Sequence, residues 1–245
     1  MKIQVFIFNY ELFEKAHALF QDFTNIGLDT YLINCKSDKD PKFSRTKNII
    51  KIPNLYWAGQ WNKSLEIAKK SDSDILFFID SDVIIKNKKY LIKRMSEFYS
   101  EFQNSAIYAP NVYWTPWTFN PRLLKEIKRG MFEVPSTDTT IWSIRKEIAL
   151  EIGSINLNIN KFGWKTEILA SYLSKRKNKL VVRDYKIKCL HPEGTKYDRD
   201  SAEKFGNDWI EKILKEKYKK EFFELCDSVG SFGFGCHDIN CHFGM

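Results

Sequence analysis

Two aspartates flank a serine directly after the most apolar stretch of this 245-residue chain. Asp80-Ser81-Asp82 follows Ile75–Ile79, which is apolar at every position, as expected for a central strand covered on both faces. Residues two apart on an extended chain point the same way, so we expect both carboxylates to face one site. Paired carboxylates suit a Mg²⁺ or Mn²⁺ shared with substrate phosphates, and a plain acidic surface turn is the alternative.

A histidine and a glutamate at the ends of other elements could join that site. His191 follows the apolar stretch Ile187–Leu190 and begins a segment with turn chemistry, HPEGTKY, so it could be a third ligand favouring Mn²⁺. Glu167 lies in the first turn of an otherwise apolar helix. An acid there either acts as a general base or only complements the helix dipole.

The elements that would carry these residues alternate along the first half of the chain. We predict strands at Ile3–Phe8, Thr30–Ile33, Asn48–Ile52 and Ile75–Ile79, and helices at Leu12–Ile26, ended by Gly27, and at Gln60–Lys70. This order indicates an α/β fold with a central, mostly parallel sheet and helices on both faces. Ligands of such sheets bind beyond the carboxyl ends of the strands, which is where Asp80, Asp82 and His191 fall.

The second half is less regular and ends in a long helix. We predict helices at Tyr90–Phe102, Lys146–Ile152 and Trp164–Ser174, and strands at Ala106–Ala109 (stopped by Pro110), Thr139–Ile144, Leu180–Arg183 and Ile187–Leu190. A final helix is expected from Asp200, which would cap it, to about residue 227. No internal repeat or linker divides the chain, so we expect a single domain over residues 1–227.

The chain has a formal net charge of +8, concentrated in residues 36–51, 86–94 and 175–188. Such clusters favour anionic ligands (nucleotide diphosphates, phosphorylated acceptors, acidic membranes or nucleic acid), and a solvated lysine-rich surface is the alternative. No apolar run approaches the ~20 residues of a transmembrane helix. The N-terminus lacks the features of a signal peptide, so we expect a cytoplasmic protein.

Five cysteines without a secretion signal indicate reduced thiols rather than disulfides. Three of them lie near the end of the chain, at Cys226, Cys236 and Cys241. The CHDINCH segment could bind zinc or carry haem, but its spacing suits neither well. We therefore interpret residues 228–245 as a flexible tail rich in Gly, Cys and His.

Together these segments resemble glycosyltransferases of the GT-A fold, especially the inverting family 2. The resemblance rests on the order of six segments within roughly residues 2–198, namely Asn34–Asp38, Trp61–Lys63, Ile79–Val83, Trp142–Glu147, Phe162–Glu167 and His191. It implies one GT-A domain, with a nucleotide-sugar-binding half at 1–110, an acceptor and catalytic half at 111–198 and the C-terminal helix at 200–227. The Gln-X-X-Arg-Trp signature of processive synthases is missing from the sequence, which favours single addition.

The resemblance also implies roles for individual residues. It implies contacts to a nucleotide sugar, with a UDP sugar as the expected donor, at Asn9, Tyr10, Asn34, Asp38, Asn62, Asp80 and Ser81. It implies that Asp80, Asp82 and His191 hold Mn²⁺ or Mg²⁺ and that Glu167 deprotonates the acceptor hydroxyl. Relatives place a second acid after this glutamate, where this chain has Ile168.

Candidate acceptor residues come from the aromatic side chains and one further acid. Trp114, Trp117 and Trp142 could stack on sugar rings or bases, although Trp142 within a strand fits the core better. Asp138 could bind an acceptor hydroxyl, and Trp164 in the segment Phe162–Glu167 is a further acceptor-binding candidate. The acceptor is left open among a glycan, a lipid-linked compound, another hydroxyl compound and nucleic acid.

Three other functions remain open at this point. A nucleotidyltransferase of related fold usually has a glycine-rich loop after the first strand, where this chain has Phe8-Asn9-Tyr10-Glu11. A glycosyltransferase acting on modified bases of nucleic acid would suit the basic clusters. A basic binding module without catalysis would not require carboxylates and a histidine at the ends of separate elements.

Overall fold

The structure is a computed structural model that describes residues 1–36, 46–114, 119–192, 197–228 and 230–232. Within these ranges the strands are β1 (Ile3–Tyr10), β2 (Asp29–Lys36), β3 (Ile49–Lys51), β4 (Ile75–Asp80), β5 (Ile84–Ile85), β6 (Ser105–Trp114), β7 (Phe119–Pro121), β8 (Lys125–Lys128), β9 (Met131–Glu133), β10 (Ile141–Arg145), β11 (Leu180–Leu190) and β12 (Gly230–Phe232). The helices are α1 (Phe13–Asn25), α2 (Tyr56–Ala68), α3 (Lys88–Glu101), α4 (Lys146–Ile152), α5 (Leu157–Asn160), α6 (Thr166–Arg176), α7 (Arg199–Ile213) and α8 (Glu216–Ser228).

The main sheet has the strand order β3-β2-β1-β4-β10-β6-β11-β9-β8, and β5 pairs with β11. Strands β3, β2, β1 and β4 pair in parallel. Strand β10 runs antiparallel to both of its neighbours, β4 and β6, and β11 is parallel to β6. Strands β1, β2, β3, β4, β6 and β11 therefore end at one edge of the sheet, and β10 begins there. This confirms the expected α/β fold with a mostly parallel centre.

Alternate residues of the central strands enter two separate cores, as the two-residue period of a strand requires. Phe6 and Phe8 of β1 are buried in the core that contains Trp61 of α2. Val5 and Ile7 are buried on the opposite face, in the core that contains Phe13 of α1. The sheet is thus covered by helices on both faces.

Helix α1 ends as the sequence predicts. Gly27 has a φ of +90°, a conformation that glycine adopts without strain. Its N–H donates to the carbonyl of Thr24 (2.9 Å), and the N–H of Leu28 donates to that of Phe23 (3.2 Å). These two bonds form a Schellman motif, which turns the chain back into β2.

Two predicted boundaries in the second half are wrong. Pro110 does not end β6, which continues to Trp114. It lies opposite Asp184 next to a register shift between β6 and β11, where the ladder is irregular and the missing proline N–H is tolerated. The two strands predicted at 180–183 and 187–190 are one strand, β11, which the same irregularity bends.

The C-terminal region also differs from the expectation. The single helix predicted over 200–227 is two helices, α7 and α8, and Asp198 rather than Asp200 caps the first by accepting from the Ser201 N–H (2.8 Å). The start of the predicted tail is paired, since β12 lies antiparallel to β7. Cys236 and Cys241 lie outside the described residues. Across the described ranges, no helix is both long enough and apolar enough to cross a membrane.

Candidate active site

The topology brings several predicted site residues to one edge of the sheet. Asn9 and Asp80 lie near the carboxyl ends of β1 and β4, and His191 follows β11 directly. Because β10 is antiparallel, its first residues lie at the same edge, and Asp138 lies shortly before its start at Ile141. The backbone N–H of Asp80 donates to the carbonyl of Thr140 at 2.9 Å, which ties the end of β4 to the start of β10.

Asp80 and Asp82 come together through a turn and not through an extended strand. Asp80 is the last residue of β4, and the chain turns at Ser81 and Asp82, so the two-residue alternation assumed from the sequence stops at Asp80. The Ser81 N–H donates to the carbonyl of Phe8 (2.9 Å), which fixes the turn against β1. Burial raises the pKa of Asp80 well above its usual range, and the charge of Asp82 raises it further.

His191 is bonded to the second aspartate of that turn. Its Nε2 lies 3.0 Å from Oδ2 of Asp82, and only about a tenth of each side chain is exposed. Burial lowers the pKa of His191, but the hydrogen bond to Asp82 and the charges of Asp82, Asp80 and Asp138 outweigh it, so the pKa is raised. The ends of β4 and β11 are thereby joined across the sheet edge.

These residues fit a divalent cation by their chemistry. Carboxylate oxygens and an imidazole nitrogen suit Mn²⁺ or Mg²⁺. Asp80 is recessed beside a second carboxylate, and in the described part of the chain no hydrogen-bond donor contacts its side chain. At the same time, no group of three or more His, Cys, Asp or Glu side chains in the described ranges is already arranged as a metal site. Asp82 and His191 are instead paired with each other.

Glu167 faces the same region from the first turn of α6. Burial raises its pKa to about 7, opposed by hydrogen bonding to its own backbone N–H and by the charge of Lys165, while the charge of Asp138 adds to the rise. A carboxyl group with a pKa near neutrality can accept a proton at the pH of the cell. Helix-dipole stabilisation alone would lower the pKa of an acid, so burial dominates at this position.

Asp138 acts electrostatically both on the candidate metal ligands and on Glu167. Its charge contributes to the raised pKa values of Asp80, His191 and Glu167, which places it within electrostatic reach of all three. Its Oδ1 accepts a hydrogen bond from the Thr140 N–H at 3.2 Å. The role of Asp138 as a ligand of a substrate hydroxyl stays a prediction.

Sequence reasoning missed Tyr197. Its hydroxyl accepts a hydrogen bond from the indole N–H of Trp164 at 2.9 Å, and its ring stacks on Phe162 at 4.3 Å. Burial raises its pKa to about 12, and the charges of Asp80 and Glu167 add to the rise although the Trp164 bond opposes it. Since the indole nitrogen can only donate, the Tyr197 hydroxyl keeps its own proton for another partner. The only sequence signal was its place at the end of the HPEGTKY segment.

Only some of the residues expected to bind the nucleoside lie close to one another in the structure. Asn9 donates from Nδ2 to Oδ1 of Asn34 (2.8 Å), which joins β1 and β2, and its own Oδ1 accepts from the Leu12 N–H (3.0 Å). Tyr10 is exposed beside them, and Asp38 lies outside the described residues. The Asn62 amide donates to the Ile155 carbonyl (2.8 Å) and accepts from the Ile155 N–H (2.7 Å), so it ties α2 to the segment after α4.

The tryptophans divide between the core and the cleft. Trp142 is fully buried and packs against Trp61 and Phe78, as its strand position indicated. Trp164 is half-buried beside Tyr197. Trp117 lies outside the described residues, and for Trp114 only the backbone at the end of β6 is described.

With this strand order and this edge, the chain has the GT-A fold of glycosyltransferases. The crystal structure of GalNAc-T7 with UDP, GalNAc and Mn²⁺ matches 91% of this chain and 50% of its own, with a TM-score of 0.58 and 13% identity. The crystal structure of S. aureus TarS matches 93% of this chain and 43% of its own, with a TM-score of 0.59 and 15% identity. This chain thus spans about half the length of each, and at such identities the likeness is one of fold. No family model and no curated protein matches the sequence.

Proposed function

We propose that the chain is a metal-dependent glycosyltransferase that moves a sugar from a nucleoside-diphosphate sugar to an acceptor hydroxyl. The observation that carries the proposal is the meeting of three aspartates, a histidine and a glutamate with a pKa of about 7 at the carboxyl edge of a GT-A sheet. This edge is where sheets of this kind bind their ligands. The five residues are Asp80, Asp82, Asp138, Glu167 and His191.

The five residues have three roles in the proposal, namely cation binding, proton removal and orientation of the acceptor. Asp82 and His191, with Asp80, would hold Mn²⁺ or Mg²⁺, and a bound cation would offset the negative charge of the departing diphosphate. Glu167 would take the proton of the acceptor hydroxyl, a contribution of ~10²–10⁴-fold to the rate. Asp138 would accept a hydrogen bond from that hydroxyl or its neighbour and so orient it.

The transfer is proposed to be a single displacement. One base and one cation suffice when the hydroxyl attacks the anomeric carbon directly, so the product has the opposite anomeric configuration to the donor. Single addition is proposed because the processive signature is missing from the sequence. The presence of UDP and Mn²⁺ in the GalNAc-T7 structure supports a UDP sugar and Mn²⁺ as the first pair to test.

The acceptor is proposed to be a glycan, a lipid-linked compound or another hydroxyl compound. Trp164 and Tyr197 would form its platform, since an aromatic ring and a protonated phenol suit the faces and hydroxyls of a sugar. Trp114 and Trp117 stay candidates for the same platform. Neither similar structure is described with nucleic acid, so a modified base as acceptor has no support beyond the basic clusters.

A donor screen tests the proposal. The full chain is incubated with a panel of sugar nucleotides, with water or a mixture of acceptors, in Mn²⁺ and in excess EDTA, and released nucleoside diphosphate is measured. We expect release from one nucleotide class, in Mn²⁺ only, with inverted product by NMR. Retained configuration would contradict the single displacement. Pyrophosphate release from a nucleoside triphosphate and a sugar phosphate would identify a nucleotidyltransferase instead.

A further inference from the structure

Two consecutive residues of β11 are buried ions that point to opposite faces of the sheet. Asp184 is fully buried on the α3 side, where Arg94 donates to it from Nε (2.8 Å) and Nη2 (3.1 Å) and the Tyr108 hydroxyl donates at 2.9 Å. Arg183 is 2% exposed and, by strand alternation, faces the other side. One strand thus carries two buried ion pairs, one in the structural core and one towards the candidate active site.

Neutral oxygen atoms accept hydrogen bonds from Nε and Nη2 of Arg183. Its Nε and Nη2 donate to Oδ1 of Asn111 (3.3 and 3.0 Å), and Nη2 also donates to the carbonyl of Val112 (3.1 Å). Neutral acceptors do not balance a buried positive charge, which is costly without a counter-ion. Asp138 supplies a negative charge here, since its Oδ2 lies 3.7 Å from Nη1 of Arg183. The distance is that of an ion pair and is longer than a hydrogen bond.

The Asp138 carboxylate is held by protein contacts on both oxygens but stays partly exposed. Its Oδ1 is fixed by the Thr140 N–H and its Oδ2 faces Arg183, yet 22% of the side chain is exposed. A carboxylate with that exposure can still accept a hydrogen bond from a substrate. Its negative charge acts on Asp80 and Glu167, so a displacement of Asp138 changes the field in the whole cleft.

We infer that Arg183 is a positioning residue: its ion pair holds the Asp138 carboxylate between Asp80 and Glu167, where Asp138 orients the attacking hydroxyl. Arg183 itself touches no substrate. The ion pair is a property of the fold alone, whereas its effect on turnover rests on the proposed function. The two parts are therefore tested by separate measurements.

The first measurement is a double-mutant cycle on stability in urea. The variants are Arg183→Met, Asp138→Asn and the double variant, and the uncharged Arg183→Gln replaces Arg183→Met if the latter does not fold. Each single substitution should destabilise the chain, and each should cost less stability when the other substitution is already present. We expect this coupling to be about 5-fold or more in the unfolding equilibrium constant. A coupling below about 2-fold overturns the ion pair and with it the inference.

The second measurement is turnover in Mn²⁺, with the sugar nucleotide that reacts fastest in the donor screen and water as acceptor. Arg183→Lys and Asp138→Asn should each lower kcat about 10-fold or more, and the double variant should be no slower than Asp138→Asn. UDP affinity in Mn²⁺ should stay within about 2-fold, since neither residue is proposed to hold the nucleotide. Normal kcat in Arg183→Lys, or effects that multiply in the double variant, would overturn the inference.

Arg94→Lys is the matched control. It weakens the buried pair on the other face of β11, so it should lower the urea midpoint while leaving kcat unchanged. An equal loss of kcat in Arg94→Lys would mean that Arg183 acts only through the stability of the sheet. If the wild-type chain releases no nucleoside diphosphate from any donor, the proposed function fails, and the stability cycle alone decides the ion pair.

Discussion

At Glu167 the demands of folding and of the proposed chemistry oppose each other. Burial raises its pKa to about 7, whereas the same group in the unfolded chain titrates near its ordinary value of 4.5. As the pH rises from about 4.5 to 7, the unfolded chain loses this proton before the folded chain does. The folded state is therefore progressively disfavoured across that window, and the full cost is present above pH 7. A carboxyl group with a pKa near neutrality is what the proposed general base requires.

Replacing Glu167 by glutamine should therefore lower activity and raise stability. Turnover should fall by ~10²–10⁴-fold because the proton acceptor is lost. The free energy of unfolding at pH 8 should rise by about 1–3 kcal/mol because no charge remains buried, with little change at pH 4. In the wild-type chain, turnover should rise with pH through a midpoint near 7, and the residual rate of the variant should lack that step.

Glu147→Gln is the control for this change. Glu147 also lies in the first turn of a helix, α4, but is exposed and paired with Lys179. Its replacement should cost a few tenths of a kcal/mol at most and leave turnover unchanged. If both variants kept normal turnover, Glu167 would not be the base, and its role would be limited to a favourable interaction with the helix dipole.

The turn into α6 is the element that aims Glu167 at the cleft, and it depends on Gly163. This residue has a φ of +75°, and a Cβ placed on it would lie 2.3 Å from Cε3 of Trp57 on α2. The turn then passes through Lys165, with a φ of +70°, and the Thr166 hydroxyl donates to the Gly163 carbonyl at 2.6 Å. The turn that precedes α6 is thereby placed directly against α2, with no room for a side chain at residue 163.

Gly163→Ala should displace α6 and reduce both stability and turnover. The positive φ costs roughly 1–2 kcal/mol for alanine, and the clash with Trp57 adds about 1–3 kcal/mol. Gly27→Ala is the matched control, because Gly27 has a φ of +90° and nothing lies within 4 Å of its added Cβ. Urea unfolding should show the smaller loss for Gly27→Ala, with turnover retained. Equal losses in both variants would mean that the close approach to Trp57 does not matter.

Most elements could be predicted from apolar periodicity, and the failures have physical causes. The apolar run Ile75–Ile79 could only be a buried strand, and Gly27 marked the end of α1. The last helix was predicted as one because its charges and apolar residues run on without proline. A straight helix, however, would place Trp209 and Phe222 on different sides, at angles that differ by more than 100°. The break between α7 and α8 lets both reach the core.

At the scale of the whole molecule, residues that directly follow strands could be predicted from the sequence. Contacts that depend on the order of the strands in the sheet could not. Asp80 and His191 could be predicted because the ends of parallel strands meet at one edge. The contact of Arg183 with Asp138 depends on β10 and β11 flanking β6, which no local pattern encodes. The bond between Tyr197 and Trp164 joins residues 33 positions apart, so no local pattern predicted it.

The central claim is that a divalent cation held by Asp82 and His191 binds the donor diphosphate. Calorimetry of UDP binding with Mn²⁺, for the wild-type chain and for Asp82→Ala, tests it most directly. The exposed Asp208→Ala on α7 serves as the control. We predict Mn²⁺-dependent binding that is abolished by EDTA and by Asp82→Ala, retained in Asp208→Ala, and accompanied by nearly unchanged melting in all three proteins. Full UDP affinity in EDTA, or unaltered binding by Asp82→Ala, would contradict the account.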